Sequence, residues 1–112
     1  MFSQAELDFL DDHDLARMAT VQPDGTLQVS PVGYRHNRAA GSIDVTGMNL
    51  ARSRKFRNVE DNGRVAIVID DRPSLEPMRV RCLEIRGHAE ALPDVFSEDG
   101  HLDGALIRIR PE

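Results

Sequence analysis

The chain has 112 residues, 40% hydrophobic and only 4% aromatic, with no Trp, one cysteine and a formal net charge of -5. That size predicts one domain spanning 1–112, with a thin core of Val, Ile, Leu and Ala that self-association would supplement. The acidic balance argues against general nucleic-acid or anionic-membrane binding, and no apolar run approaches the ~20 residues of a membrane span.

The start of the chain lacks a basic n-region followed by an apolar h-region, and the lone Cys82 cannot form an intramolecular disulfide, so a reducing cytoplasm is the expected location. Ser3-Gln-Ala-Glu6 is a capping-box pattern with Phe2 placed to staple against Leu7, which predicts a short helix to about Leu10 or Asp11, lying as a lid over one end of a barrel. Leu15 to Val21 reads as a strand, with Leu15, Arg17, Ala19 and Val21 on one face. Gln22-Pro-Asp-Gly25 is a turn, so a hairpin follows. The return strand, Leu27 to Tyr34, contains Pro31, which marks either an edge strand or an interrupted ladder whose free backbone groups face a ligand.

Arg35 to Gly41 reads as a polar loop and Ser42 to Thr46 as a third strand. Arg64 to Asp70 is the most continuous apolar run and is expected at the centre of the sheet. A two-proline loop over Asp71 to Pro77 then leads to a long strand from Met78 to Leu92, with Gly87 as a possible bend. An acidic loop over 93–104 and a last strand from Ala105 to Arg110 complete the pattern, that of a mostly β closed or split barrel with two short helices.

The most informative stretch is Thr46 to Asn58, TGMNLARSRKFRN, where Arg52, Arg54, Lys55 and Arg57 reverse the sign of an acidic chain. Asn49 stands where an N-cap is expected, predicting a helix from Leu50 to about Glu60 that ends at Asn62-Gly63. Its first two turns hold only cations, and Glu60-Asp61 come last, which opposes the helix dipole. An anion bound at that end accounts for the arrangement, because free N–H groups and basic side chains would converge on it. Helical spacing puts Arg52 and Lys55 beside the inward Phe56 and Val59, with Arg54 and Arg57 turned to solvent. On the residues alone, a solvated basic face and an anion site stand about even.

Chemistry that needs its own side chains is not evident. No G-x-S-x-G surrounds Ser30 or Ser53, and Cys82 reads as packing rather than as a nucleophile. The histidines at 13, 36, 88 and 101 have no metal-ligand spacing, and His36 is expected to be exposed in a loop. There is no GxGxxG or Walker motif. Such a chain suits cofactor chemistry, in which the protein binds, orients and excludes water.

The order strand, Thr-Gly, short loop, Arg-x-x-Lys-x-Arg-Asn, then Gly-Arg-Val-Ala-Ile-Val-Ile-Asp resembles the flavin and deazaflavin split β-barrel family. That family joins the pyridoxamine 5'-phosphate oxidases to the F420-dependent oxidoreductases. The segments LARMATVQPDGTLQVSPVGY (15–34), IDVTGMNLARSRKFRNV (43–59) and RCLEIRGHAEAL (81–92) extend the likeness over nearly the whole chain. The resemblance implies a homodimeric, FMN-binding-like split barrel with cofactor grooves at the dimer interface. Arg52, Ser53 and Lys55 fit a phosphate clamp, Arg as a bidentate and Lys as a point donor, and Thr46 and Gly47 fit a turn that admits the cofactor's tail. Carried over from the family, Ser30, Pro31 and Val32 would line the ring and Asn58 would fix the helix to the barrel. Arg79 and Arg81 are candidates for contacts across the dimer.

The activity implied is hydride transfer between reduced coenzyme F420 and an unsaturated small molecule, with no catalytic side chain identified. An FMN-binding oxidase-like protein shares the clamp, and a protein that holds a flavin or tetrapyrrole without turnover is a third reading. Neither a metal, a nucleic acid nor a membrane is expected as a partner.

Overall fold

The computed structural model describes residues 2–95 and 103–112, so most of the acidic connection expected over 93–104 lies outside the described residues. In chain order the elements are α1 (Gln4–Asp11), β1 (Leu15–Val21), β2 (Leu27–Asn37), β3 (Ser42–Thr46), a 3-10 turn (Leu50–Arg52), α2 (Arg54–Asn62), β4 (Arg64–Leu75), β5 (Met78–Leu92) and β6 (Leu106–Pro111). All strand pairs are antiparallel, and the barrel closes in the order β1-β2-β3-β6-β5-β4. The mostly β split-barrel architecture with two short helices is the one expected.

Alternation in the strands decides what fills the barrel. Ala16, Met18 and Thr20 of β1 face inward, with Val32 and Tyr34 of β2, Ile43 and Val45 of β3, and Val65, Ile67 and Ile69 of β4. Ile85 and Ala89 of β5 and Ile107 and Ile109 of β6 complete the buried set. The opposite face of β1 and β2 leaves Leu15, Leu27 and Val29 between 61% and 77% exposed. Pairing sets Leu27 opposite Val21 and Val29 opposite Ala19, so these four side chains form an apolar patch on the outer wall, while Leu15 stands apart opposite Gly33, beyond Arg17.

The two helices plug opposite ends. The capping box of α1 is present, with Ser3 Oγ accepting from the Glu6 N–H and the Glu6 carboxylate accepting from the Ser3 N–H. Leu10 enters the core beneath it, and Tyr34 Oη donates to the Leu10 carbonyl at 2.8 Å. At the other end α2 inserts Phe56, Asn58 and Val59, all buried, against β1 and β5.

Several local expectations are corrected. The N-cap of the basic helix is Ser53, whose Oγ accepts from the Phe56 N–H, and not Asn49. Asn49 instead takes a left-handed conformation (φ 51°), which Asn tolerates, and its side chain makes no capping bond. A single 3-10 turn separates the two, so Arg52 precedes α2 rather than lying in it. Gly63 (φ 70°) ends α2, and the helix has no basic residue in its last turn.

The expected loop over Asp71–Pro77 is largely strand. β4 runs to Leu75, Asp71 pairs with Arg81, and a register shift before Ser74 absorbs Arg72 and Pro73. β2 continues to Asn37, because its last five residues pair with β3. Cys82 is exposed rather than packed. His36 is buried, its side chain only 5% exposed, because Phe2 from the start of the chain meets its ring edge-on at 5.7 Å.

Candidate cofactor-binding site

The barrel is split along β2. Only Gly33 to Asn37 pair with β3, through the Gly33–Thr46 to Asn37–Ser42 register, whereas Leu27 to Val32 pair with β1 alone. Val32, Pro31 and Ser30 therefore run away from the end of β3 as one lip of an opening. Thr46, Gly47, the 3-10 turn and the start of α2 form the other lip. Pro31, which can donate no ladder hydrogen bond, sits opposite Arg17 where no bond on the β3 side is required. Pro31 thus lies on an edge stretch of β2, the simpler of its two readings, with the side away from β1 unpaired.

Each candidate residue has a definite place around this opening. Val32 is buried in the barrel wall, Pro31 is exposed, and Thr46 and Gly47 are half-buried. Ser30 is half-buried, and its Oγ is buried with no hydrogen-bond partner. An orphaned buried hydroxyl is uncommon in a protein wall and fits a lip that a polar ligand covers.

Arg52 is exposed and Lys55 half-buried, and neither is paired with a carboxylate among the described residues; Arg57 is likewise unpaired. Arg54 differs, donating to Gln22 Oε1 at 2.8 Å. The Ser53 hydroxyl is used twice within the chain, donating to the Leu50 carbonyl at 2.7 Å and accepting from the Phe56 N–H at 3.2 Å. Its part in an anion site is to start the helix. The cap satisfies the third N–H and leaves those of Arg54 and Lys55 pointing out of the first turn, where backbone dipoles and side-chain cations act together.

Asn58 is 3% exposed and donates from Nδ2 to Thr20 Oγ1 at 3.0 Å, tying α2 to the inner face of β1. Thr20 was not legible as a site residue, since a Thr in a strand is ordinary; its long-range partner is what distinguishes it.

The remaining polar groups are taken up structurally. Burial pushes the Tyr34 phenol up to about 12, with Asp14 and Asp11 adding to the effect, so it serves as a strut rather than an acid. Arg38 is paired with Asp11, and Arg81 with Asp71. Arg81 also lies over the Phe9 ring, so its part within one chain is to brace α1.

A cavity of about 720 Å³ lies at the α1 end, lined by Phe2, Leu7, His36, Leu83, Ile85 and Pro111 among others. It is remote from the α2 cations, and its own arginines, Arg38 and Arg86, are paired with Asp11 and Glu84. Among the described residues Arg35, Arg64, Arg72 and Arg79 are also without an ion pair, but only Arg52, Lys55 and Arg57 are clustered at a helix start, the arrangement that suits a phosphate-bearing cofactor. Among the described residues no cluster of three metal-ligating side chains occurs, and no helix is long and apolar enough to cross a membrane.

The residues around the split fit a phosphorylated flavin-type cofactor. Arg52, Lys55 and the first N–H groups of α2 would hold its phosphate, and Ser30, Pro31 and Val32 would lie along its ring. Such a cofactor, when bound, supplies the hydride chemistry. The chain supplies charge, a rigid wall and exclusion of water from one side.

Comparison with known proteins agrees with this fold. The chain is 41% identical over 111 residues to a 5a,11a-dehydrotetracycline/5a,11a-dehydrooxytetracycline reductase of Streptomyces rimosus, covering 98% of this chain and 78% of that protein. Among solved structures, an F420 reductase superposes with TM-score 0.76 at 23% identity, covering 99% of this chain and 96% of that one. The heme storage protein of Vibrio cholerae superposes with TM-score 0.73 at 18% identity, covering 100% of this chain and 92% of that one. Residues 2–105 match the family model described as pyridoxamine 5'-phosphate oxidase, and the chain belongs to that family.

Proposed function

We propose that this protein is an F420-dependent oxidoreductase that transfers a hydride between the reduced deazaflavin and an unsaturated small molecule. One observation carries the site: cations at the start of α2, without a carboxylate partner among the described residues, face the split whose other lip is a β2 segment with an orphaned hydroxyl, Ser30 Oγ. The reductase from Streptomyces rimosus, with its two dehydrotetracycline substrates, supplies the direction of the chemistry and its substrate type, a conjugated carbon–carbon double bond. Thr46, Gly47, Arg52, Ser53, Lys55 and Asn58 build the tail site, and Ser30, Pro31 and Val32 build the ring wall. The outer apolar patch of Leu27 and Val29 supports a homodimer in which a second copy covers the open side of the split. The lone cysteine, Cys82, fits a reducing cytoplasm as its location.

FMN is the alternative cofactor, because the clamp serves either phosphate. The deazaflavin tail is longer and more anionic and would use further cations such as Arg35, Arg38 or Arg79; the pairing of Arg38 with Asp11 occupies one of these and so favours FMN. Steady-state oxidation of reduced F420 in the presence of a conjugated enone tests the proposal. Enzyme-dependent turnover supports it, whereas tight binding of F420 with no turnover on a panel of enones and quinones would make the protein a carrier.

A further inference from the structure

We propose that Thr20 and Gln28 are positioning residues for the cofactor, holding the cation-bearing start of α2 in register with the β2 lip of the split; the inference rests on the reading of that split as the cofactor site. Thr20 is 1% exposed on the inner face of β1, directly opposite Gln28 of β2. Its hydroxyl accepts from Asn58 Nδ2 at 3.0 Å and donates to Gln28 Oε1 at 2.9 Å. Three elements thus meet at one oxygen, and both functions of that hydroxyl are used.

Thr20→Val nearly keeps the volume but leaves Nδ2 of the buried Asn58 without its partner, so a loss of stability is expected and Thr20→Ser is the control that keeps the hydroxyl. Backbone bonds cannot do the same work. Leu27 to Val32 are laddered to β1 on one side only, and no ladder joins α2 to either strand. Asn62 Nδ2 donates to the Val21 carbonyl and Arg54 to Gln22 Oε1, but these bonds stop at β1 and its turn, and the Asn58–Thr20–Gln28 chain is the tie that reaches β2. It sets the distance between the two cation-bearing residues, Arg52 and Lys55, and the ring wall two residues on from Gln28. A rigid cofactor with a charged tail and a planar head is sensitive to that spacing.

The test is a fluorescence titration of F420 against the full chain, the Thr20→Val, Thr20→Ser and Gln28→Ala variants, and each of these combined with Arg52→Ala/Lys55→Ala. Thr20→Val and Gln28→Ala are expected to weaken F420 binding about tenfold in the parent, and Thr20→Ser to retain the parent affinity. In the background without the two cations, the same substitutions are expected to change affinity by less than about twofold, because their effect passes through those cations. Equal loss in both backgrounds would show a merely structural role and overturn the inference, as would unchanged affinity in the parent. Gln28 is half-buried at the rim, so Gln28→Ala decides the matter if Thr20→Val does not fold. Failure of the parent itself to bind F420 or FMN would instead remove the site reading, and this inference with it.

Discussion

His13 and Asp71 join the first helix to the barrel: His13 Nε2 lies 2.9 Å from Asp71 Oδ2, while His13 Nδ1 lies 2.7 Å from the Phe9 carbonyl oxygen. Both partners only accept, so both contacts are hydrogen bonds only when the imidazole carries two protons. The Phe9 carbonyl, and then Asp71, hold the pKa of His13 above the ordinary 6.5 against the opposing effects of burial and of Arg81. Asp71 is itself held below the usual carboxylate range, chiefly by its hydrogen bonds with Arg81, and stays an acceptor throughout. The charged groups facing His13 are therefore Asp71 of β4 and Arg81 of β5, with Asp12 nearby acting on Arg81.

The sign of the pH dependence follows. A folded-state pKa raised above the unfolded value gives a contribution fully present below the unfolded value and lost as pH rises through the folded one. The thermal midpoint of the parent should exceed that of His13→Ala most at pH values below the ordinary 6.5, and the gap should narrow as pH rises above it. Thermal melts across a pH series check this, and a gap that widens with rising pH would contradict it.

Asp44 is 3% exposed on β3, and its carboxylate accepts from Ser42 Oγ, Asn37 Nδ2, and Nε and Nη2 of Arg108. Burial is the largest single influence and raises its pKa, but the hydrogen bonds from Arg108, Asn37 and Ser42 together hold it below the usual range. Its contribution is thus present above the ordinary carboxylate pKa and is lost as pH falls through the lowered one. Asp44→Ala leaves Arg108 partly buried without its partner and should cost about 3 kcal/mol in denaturant unfolding. A loss below about 1 kcal/mol would mean that the pair contributes little.

Two glycines are required for different reasons. Gly63 ends α2 at φ 70°, and a Cβ there would lie 2.5 Å from His88 Cε1 and 3.0 Å from the Ala89 carbonyl oxygen. Gly87 has no such conformation, but a Cβ on it would lie 2.5 Å from the Arg110 carbonyl oxygen of β6. Gly63→Ala should cost at least about 1 kcal/mol through backbone strain alone. Gly87→Ala should push β6 from β5, visible as faster amide exchange at His88 and Arg110, the next pair along that ladder.

Leu27 and Val29, at 77% and 67% exposure, give the outer wall its apolar character. The proposed homodimer buries them, so Leu27→Glu/Val29→Glu should shift the protein from dimer to monomer in sedimentation velocity, with little change in the fold of the monomer. A parent that sediments as a monomer would contradict the dimer.

Much of this was readable because it is local. Ser3 with Glu6, the Pro-Asp-Gly turn, the apolar run Arg64–Asp70 and the Gly63 stop each declare themselves within a few residues. The misreadings have physical causes of longer range. Asn49 and Ser53 are both good caps, and only the path of the chain out of β3 selects Ser53. Pro73 and Pro77 suggest a loop, yet cross-strand pairing with Arg79 and Arg81 extends β4 past the first of them. His36 is buried by Phe2, far away in sequence. Alternation along β1 shows two faces but not which one is inside, so the outward Leu15, Leu27 and Val29 emerge only with the barrel. For the site, the cation run and the Thr-Gly turn were legible, whereas the Thr20–Gln28 tie and the lone Ser30 hydroxyl depend on the split itself.

The central claim is that the cations at the start of α2 hold the phosphate of a deazaflavin cofactor. A side-by-side fluorescence titration of F420 and FMN against the parent and Arg52→Ala/Lys55→Ala tests it most directly. The account predicts that the parent prefers F420 and that the double variant loses more than about 2 kcal/mol of binding free energy with its thermal midpoint unchanged. Unchanged affinity in the double variant, or a parent that prefers FMN, would contradict it.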